Sequence, residues 1–335
     1  MGQGSPLGDL MRILVVGGYG FLGGRLAAHL AKVGHQVVIG TRKLDQVPVW
    51  LPQAEVVQLH WNDPKALQKI CDGVDVVIHA AGMNAHDCAA EPVAALEFNG
   101  VGTARLVHAA SRAAVKSFLY FSTAHVYGSR LSGVIDEDTC PQNFHPYATS
   151  HLAGENSVLS ARLEKKIQGA VLRLTNAFGA PVHRDANCWS LLINGLCRQV
   201  VEEGKMTLLS PGFQRRDFIE MSAVCRSIEE IINRNSEVEI PSIINIGLGV
   251  SQTVREIAQL IQQRCEAVLG FTPPLTWPES TNDSEYLPLE FRSNGLKALN
   301  IALQNNSNLQ EIDGLLRFCA SSFQKTPLLR VDDQP

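Results

Sequence analysis

A glycine run at the end of a short apolar stretch constrains this chain more than any other feature. Arg12-Ile13-Leu14-Val15-Val16 leads directly into Gly17-Gly18-Tyr19-Gly20-Phe21-Leu22-Gly23. From Leu22 to Lys32 the apolar residues then fall at helical spacing. The order is strand, glycine turn, helix. Gly17 permits the tight turn. Gly20 presents bare backbone that an anionic group can approach. Gly23 lets helix and strand pack closely. The helix start offers free N–H groups to the anion. Gly17, Gly20, Phe21, Leu22 and Gly23 are therefore expected to cradle the pyrophosphate of a dinucleotide. A glycine-rich turn that binds nothing is the alternative.

The first half continues this alternation. Val37–Ile39, Glu55–Leu59, Asp75–His79, Ser117–Phe121 and Ala170–Leu174 read as further strands. Pro64–Cys71 and Pro92–Ala114 read as helices between them. Asp63, just before Pro64, reads as a helix N-cap. Apolar strands alternating with helices predict an α/β fold, a doubly wound parallel sheet. After Gly179-Ala180-Pro181 the rhythm gives way to longer helices, and Pro241–Ile246 reads as a strand returning to the sheet. Residues 1–10 are expected to be a disordered leader, with a loose tail at 332–335. The nucleotide-binding domain is expected over 11–177 and 213–248. A smaller, discontinuous substrate-binding domain is expected over 178–212 and 249–330, above the carboxyl ends of the strands.

Bulk properties exclude several classes. The formal net charge of −4 gives no basis for nucleic-acid binding. No apolar run approaches a membrane span, and residues 1–10 lack the apolar core of a signal peptide. The 8 cysteines contain no Cys-x-x-Cys pair. They read as buried thiols in a reducing compartment, with no metal site. A cytoplasmic location follows as an expectation.

Further segments carry a resemblance. His79-Ala80-Ala81-Gly82 ends the fourth strand, and Asn99-Gly100-Val101-Gly102-Thr103 lies in the next helix. Phe121-Ser122-Thr123-Ala124-His125-Val126-Tyr127-Gly128 ends the fifth strand, and Pro146-Tyr147-Ala148-Thr149-Ser150 opens a helix. Arg173 to Gly179, Arg215 to Ile219 and Asn245 to Gly249 follow. In this order, over residues 11 to about 320, the chain resembles an extended short-chain dehydrogenase/reductase. It is most similar to the NAD(P)-dependent epimerase/dehydratase branch that acts on nucleotide sugars. The resemblance implies a Rossmann-type sheet and an enzyme.

It also implies roles. Thr123 holds the substrate oxygen and Tyr147 transfers the proton. The family's lysine, four residues on, is replaced by His151. The spacing keeps Tyr147 and His151 on one helix face. A fixed positive charge about 6 Å from a phenol, at an effective dielectric of about 20, is worth about 2.8 kcal/mol, or roughly two pKa units. A neutral His151 supplies none of that, so Tyr147 is expected to stay protonated. That favours ketone reduction over alcohol oxidation. The 4,6-dehydratases carry an acid just after the Thr123 position; Ala124 and His125 stand here. His125 reads either as an extra acid/base, like the cysteine of the GDP-fucose synthase type, or as a packing residue.

Around the cofactor, the resemblance assigns Ala80, Ala81, Gly82, Asn99, His60 and Trp61 to the binding surface. The second strand ends in Gly40-Thr41-Arg42-Lys43, without the acid of NAD-specific relatives. Arg42 can pair with a 2′-phosphate and Thr41 can add a hydroxyl, so NADP(H) is favoured over NAD(H). On the substrate side, Asn176 and Arg216 match positions for a sugar-nucleotide diphosphate, and Asn84, His86 and Asp87 are placed toward the sugar. A structural alternative has Asn176 fixing its loop and Arg216 pairing with Asp217. The expected activity is an NADPH-dependent ketoreductase on a nucleotide-linked keto-sugar. An NAD-dependent nucleotide-sugar 4-epimerase and a non-catalytic dinucleotide-binding sensor remain open. A homodimer is expected through helices 92–114 and 147–163, with Ala94, Ala95, Ala109, Ala110, Ala113 and Ala114 either giving close packing there or facing the sheet instead.

Overall fold

The computed structural model describes residues 10–42, 46–234, 238–279, 287–303 and 308–323. The expected leader at 1–9, Lys43 and the tail at 332–335 lie outside the described residues. The chain runs β1 Arg12–Val16, α1 Phe21–Lys32, β2 Gln36–Thr41, β3 Glu55–Gln58, α2 Pro64–Cys71 and β4 Val76–His79. Helices α3 Ala85–Ala90, α4 Pro92–Ala95 and α5 Thr103–Arg112 follow, with a π-helical segment Leu96–Gly102 between the last two. Next come β5 Ser117–Thr123, β6 Gly133–Ile135, α6 Pro146–Leu163, β7 Gln168–Leu174 and β8 Asn176–Phe178. Then come α7 Leu192–Glu203, β9 Met206–Thr207, β10 Arg215–Glu220, α8 Met221–Arg234, β11 Ile243–Ile246 and β12 Ser251–Thr253. The last elements are α9 Val254–Leu269, β13 Leu275–Thr276, β14 Leu289–Phe291, α10 Asn294–Ala298 and α11 Asn308–Phe323.

Seven strands form one parallel sheet in the order β11-β7-β5-β4-β1-β2-β3. Strand alternation buries both faces. Ile13, Val15, Ile39, Ile78, Leu119 and Leu172 pack on one side with Leu26 of α1 and Ile228 of α8. Leu14, Val16, Val38, Val77, Phe118 and Val171 pack on the other with Leu67 of α2, Leu106 of α5 and Val158 of α6. Chain order reverses between β1 and β4, which places a ligand crevice at their carboxyl ends.

A third core gathers α7, α9 and α11 around Ile193, Val200, Ile257, Ile261, Ile312 and Leu315. Within the span 249–330 expected for the second domain, Leu296, Leu299 and Ile301 instead pack into the sheet core. They follow β14 and α10 back to the edge strand β11, so the chain crosses to the sheet once more than its sequence pattern suggested.

The helix expected over 92–114 is not continuous. Its middle is π-helical, and Ala114 ends it at a φ of 56°. Thr103 Oγ1 donates to the Asn99 carbonyl at 2.6 Å, and a Cβ at Gly102 would stand 3.6 Å from the Trp61 ring. The wider turn is a local insertion of the kind found at functional sites. Of the alanines expected at a subunit face, Ala95, Ala109 and Ala110 are buried in the chain's own core. Ala109 and Ala110 take the alternative of facing the sheet core, while Ala95 is buried on α4, the helix that packs against α6.

Candidate active site

The glycine turn is built as a cradle. Gly17 adopts a φ of +87°, and a Cβ there would sit 2.8 Å from the Ala81 backbone nitrogen. A Cβ at Gly23 would collide with the Gly17 carbonyl, so the turn and α1 touch backbone to backbone. Gly20 is the N-cap of α1, with no side-chain cap and no acidic residue in the first turn. The N–H groups that begin α1 at Phe21, Leu22 and Gly23 are left for an anion. Ala80 N donates to Val16 O at 2.9 Å, which holds the ends of β1 and β4 together beneath the crevice. These residues fit a dinucleotide's pyrophosphate.

Helix α6 opens with His145 as N-cap, its Nδ1 accepting from Tyr147 N at 3.1 Å. Pro146 follows at the first helical position, where its missing N–H costs nothing. Tyr147 is thereby fixed in the first turn. The Thr123 hydroxyl, at the end of β5, is close enough to the Tyr147 phenol to favour its ionised form. Burial pushes the phenol above its ordinary pKa, with the Thr123 bond pulling partly back and the nearby Cys88 thiol adding to the rise. Thr123 Oγ1 also accepts from His125 N at 3.1 Å.

His151 lies one turn further along α6, with its ring centroid 4.4 Å from that of Tyr147. Its Nδ1 is 2.7 Å from the Tyr147 carbonyl oxygen. Burial lowers its pKa to about 4, against the pull of that bond. The ring is neutral at pH 7. It carries no charge to lower the Tyr147 pKa, so the phenol keeps its proton.

Other expected residues are spread around this centre. Asn99 is buried: its Oδ1 accepts from Met83 N at 2.9 Å and its Nδ2 donates to Ser150 Oγ at 3.0 Å. It ties the turn after β4 to α6. Gly82 is exposed at the crevice, and a Cβ there would stand 3.5 Å from His151 Nε2. Thr41 ends β2, and exposed Arg42 lies over the Phe98 ring at 5.5 Å. Phe98 in turn meets Trp61 edge-on at 5.5 Å. His60 is exposed beyond β3, and Asp63 caps α2 by accepting from Lys65 N and Ala66 N, both at 3.0 Å.

On the substrate side, Arg216 is partly buried in β10, and burial lowers its pKa. Among the described residues no carboxylate pairs with it. Asp217 instead accepts from Thr175 Oγ1, Leu248 N and Gly249 N at 2.7–3.0 Å. The His125 ring is held below its ordinary pKa by burial first, then by the charges of Arg216 and His145. Asn176 Nδ2 donates to the Asp217 carbonyl at 2.9 Å, joining β8 to β10. Asn84 caps α3 by accepting from Asp87 N. His86 points into solvent, its side chain 93% exposed, and pairs with Asp87. The structure thus groups Thr123, Tyr147 and His151, with His125 and Arg216 beside them, and leaves His86 apart.

Sequence reasoning passed over Cys88, Ser150 and His145. The N-cap role of His145 was marked by the Pro146 after it. Cys88 gave no local signal, because a thiol inside a short helix looks like any small apolar residue.

A family model matches residues 13–247, more than half of the chain; it is that of the NAD dependent epimerase/dehydratase family. The chain belongs to that family. It is an enzyme of the extended short-chain dehydrogenase/reductase type, with the Rossmann-type sheet. The dTDP-D-glucose 4,6-dehydratase of Homo sapiens is 29% identical over 276 residues, covering 78% of this chain and 77% of that protein. The solved UDP-N-acetylglucosamine 4-epimerase from Methanobrevibacter ruminantium M1, in complex with UDP-N-acetylmuramic acid, superposes with a TM-score of 0.78 at 19% identity. It covers 93% of this chain and 99% of its own. MoeE5, solved with UDP-glucose and NAD, gives a TM-score of 0.75 at 22% identity, covering 93% of this chain and 99% of its own. All 8 cysteines are free thiols, with Cys140 alone exposed, a departure from the buried expectation. Among the described residues no helix is long and apolar enough to cross a membrane, and no cluster of potential metal ligands occurs.

Proposed function

We propose that this enzyme is an NADPH-dependent ketoreductase acting on a nucleotide-linked keto-sugar. The observation that carries the reading is the buried, neutral His151 at the position where the family resemblance implies lysine. Reduction needs an acid at Tyr147, and the raised phenol is one. Oxidation needs a base there, and no cation is present to make it so. A bound reduced nicotinamide supplies the hydride. Thr123 polarises the sugar carbonyl through its hydroxyl, and Tyr147 delivers the proton to the developing alkoxide. Arg216, desolvated and without a carboxylate partner among the described residues, is suited to the diphosphate of the substrate, because its planar fork pairs with phosphate oxygens. Absence of a carboxylate at Ala124 and His125 argues against dehydration. Thr41 and Arg42 favour a 2′-phosphate on the cofactor. We further propose a homodimer and a cytoplasmic location.

A nucleotide-sugar 4-epimerase is the second reading, favoured by the fold likeness to a 4-epimerase. Native mass spectrometry separates the two. Tightly carried NAD favours the epimerase; an empty site that takes up NADPH favours the reductase. The His151→Lys variant gives the mechanistic check. Its pH–rate profile for alcohol oxidation is expected to move down by roughly one to two units, while reduction near neutrality gains less. Equal gains in both directions would overturn the acid role of Tyr147.

A further inference from the structure

Resting on the reading of Thr123 and Tyr147 as the reacting pair, we propose that Glu155 is a positioning residue. Through Ser122 and Arg173 it sets the register of α6, which carries Tyr147, against the end of β5, which carries Thr123.

Glu155 lies about two turns beyond Tyr147 on α6. Ser122 directly precedes Thr123 on β5 and stands opposite Arg173 on β7 in the parallel ladder. Both of these side chains reach the carboxylate. Ser122 Oγ donates to Glu155 Oε1 at 2.5 Å. Arg173 Nε donates to Oε1 at 3.1 Å and Nη2 to Oε2 at 2.7 Å, a bidentate fork. The guanidinium also covers the Tyr127 ring at 4.8 Å, and the Tyr127 hydroxyl donates to Asn245 Oδ1 on β11 at 2.8 Å. One carboxylate thus ties α6 to β5 and β7, with β11 behind them.

The helix already lies close against its neighbours here. A Cβ at Gly154 would stand 2.6 Å from Tyr120 Oη and 2.9 Å from Asn99 O. Apolar burial is non-directional, so it presses α6 onto the sheet without fixing where along its axis the helix rests. The bonds to Glu155 have direction. The Arg173 and Glu155 side chains are 4% and 1% exposed. Taking two charges out of water costs roughly what their attraction returns, so an ion pair this deep is a poor source of stability. A fixed register is what it adds. Thr123 and Tyr147 stand on different elements, and an error of about 1 Å between them is enough to slow the reaction about a hundredfold.

Replacing the ion pair by apolar residues of similar volume, Glu155→Leu with Arg173→Met, separates register from stability. The double variant is expected to unfold at the native urea midpoint or above it. Its kcat for NADPH reduction of a UDP-linked 4-keto-sugar is expected to fall about ten- to a hundredfold, with KM within about threefold of native. In its crystal structure the Thr123 Oγ1–Tyr147 Oη separation is expected to differ from that of the native enzyme. A native separation or a native kcat in the folded variant overturns the proposal, and so does a kcat lost only in step with stability. If the double variant does not fold, Ser122→Ala decides by the same readouts, since it leaves the ion pair intact; a loss of about three- to tenfold in kcat is expected there. The separation is read without substrate. A native enzyme that turns over no keto-sugar therefore removes the ketoreductase reading, while the crystal structures still decide the role of Glu155.

Discussion

Gly23 has no space for a side chain, and that makes it the sharpest single-residue test of the cradle. A Cβ there would press into the Gly17 carbonyl and come within 2.7 Å of the Gly17 carbonyl carbon. Both are backbone atoms, so no rotamer change relieves the clash. Gly23→Ala is expected to cost about 1–3 kcal/mol of stability and to weaken dinucleotide binding more than tenfold. Thermal denaturation and fluorescence titration check both, and an alanine variant with native affinity would remove the cradle. Residues of this kind were legible in the sequence because their chemistry is backbone chemistry. Thr123, Tyr147 and His151 were legible because one strand end and one helical turn bring them together. Asn84 and His86 have a local role that their sequence positions did not announce. Asn84 and Asp87 have the spacing of a capping pair, and the short helix they start turns His86 outward. Asn176 took the structural alternative, bonding across to β10. Arg216 did not, since Asp217 is occupied by Thr175 and by the loop at 248–249.

At the scale of elements, six of the strands were legible as apolar runs, and the seventh, β11, as the returning run before Ile246. Helix α2 was legible to the residue, because Asp63 and Pro64 mark its start and Cys71 its last buried position. The π-helical segment was not. Widening of a turn depends on what Asn99, Gly100 and Gly102 pack against, namely α6 and Trp61, and those partners are remote in sequence. The same packing decides the subunit face. With Ala95, Ala109 and Ala110 turned inward, the outward residues along this helix include Val93, Leu96 and Val101, at 71%, 47% and 45% exposure. Three large apolar side chains left in water along one helix are the mark of a contact surface. The dimer is therefore expected to use these residues. A Val93→Glu, Val101→Glu pair should raise the dimer dissociation constant at least tenfold without unfolding the chain. Sedimentation equilibrium measures it; a native protein that is monomeric at micromolar concentration would refute the dimer.

For the molecule as a whole, a sheet covered on both faces imposes a condition on its polar residues. His79 on β4 and His151 on α6 lie inside that covering, and burial lowers their pKa values to about 3 and about 4. His79 Nε2 is 3.0 Å from Thr103 Oγ1, whose own hydrogen goes to the Asn99 carbonyl, so Nε2 is the donor, and burial holds this ring neutral too. In the unfolded chain both titrate near 6.5. Between that value and their folded values the unfolded state binds more protons. Stability must therefore be present above pH 6.5 and fall as the pH drops toward 4. Moving from pH 7 to pH 5 costs about 2 kcal/mol for each ring. Asp217 works against this trend. Burial raises its pKa from 3.8 to about 6, so the folded state takes up its proton first and stability gains about 1 kcal/mol over the same interval. The histidines outweigh it, and a net loss on the order of 3 kcal/mol is expected. Urea denaturation at pH 7 and pH 5 reads that difference. In a His151→Phe variant the difference should shrink by about 2 kcal/mol, because the resistance of this one ring to protonation is lost. If native protein and variant lose stability equally between the two pH values, His151 is not held neutral by the fold. The acid role of Tyr147 would then need another cause.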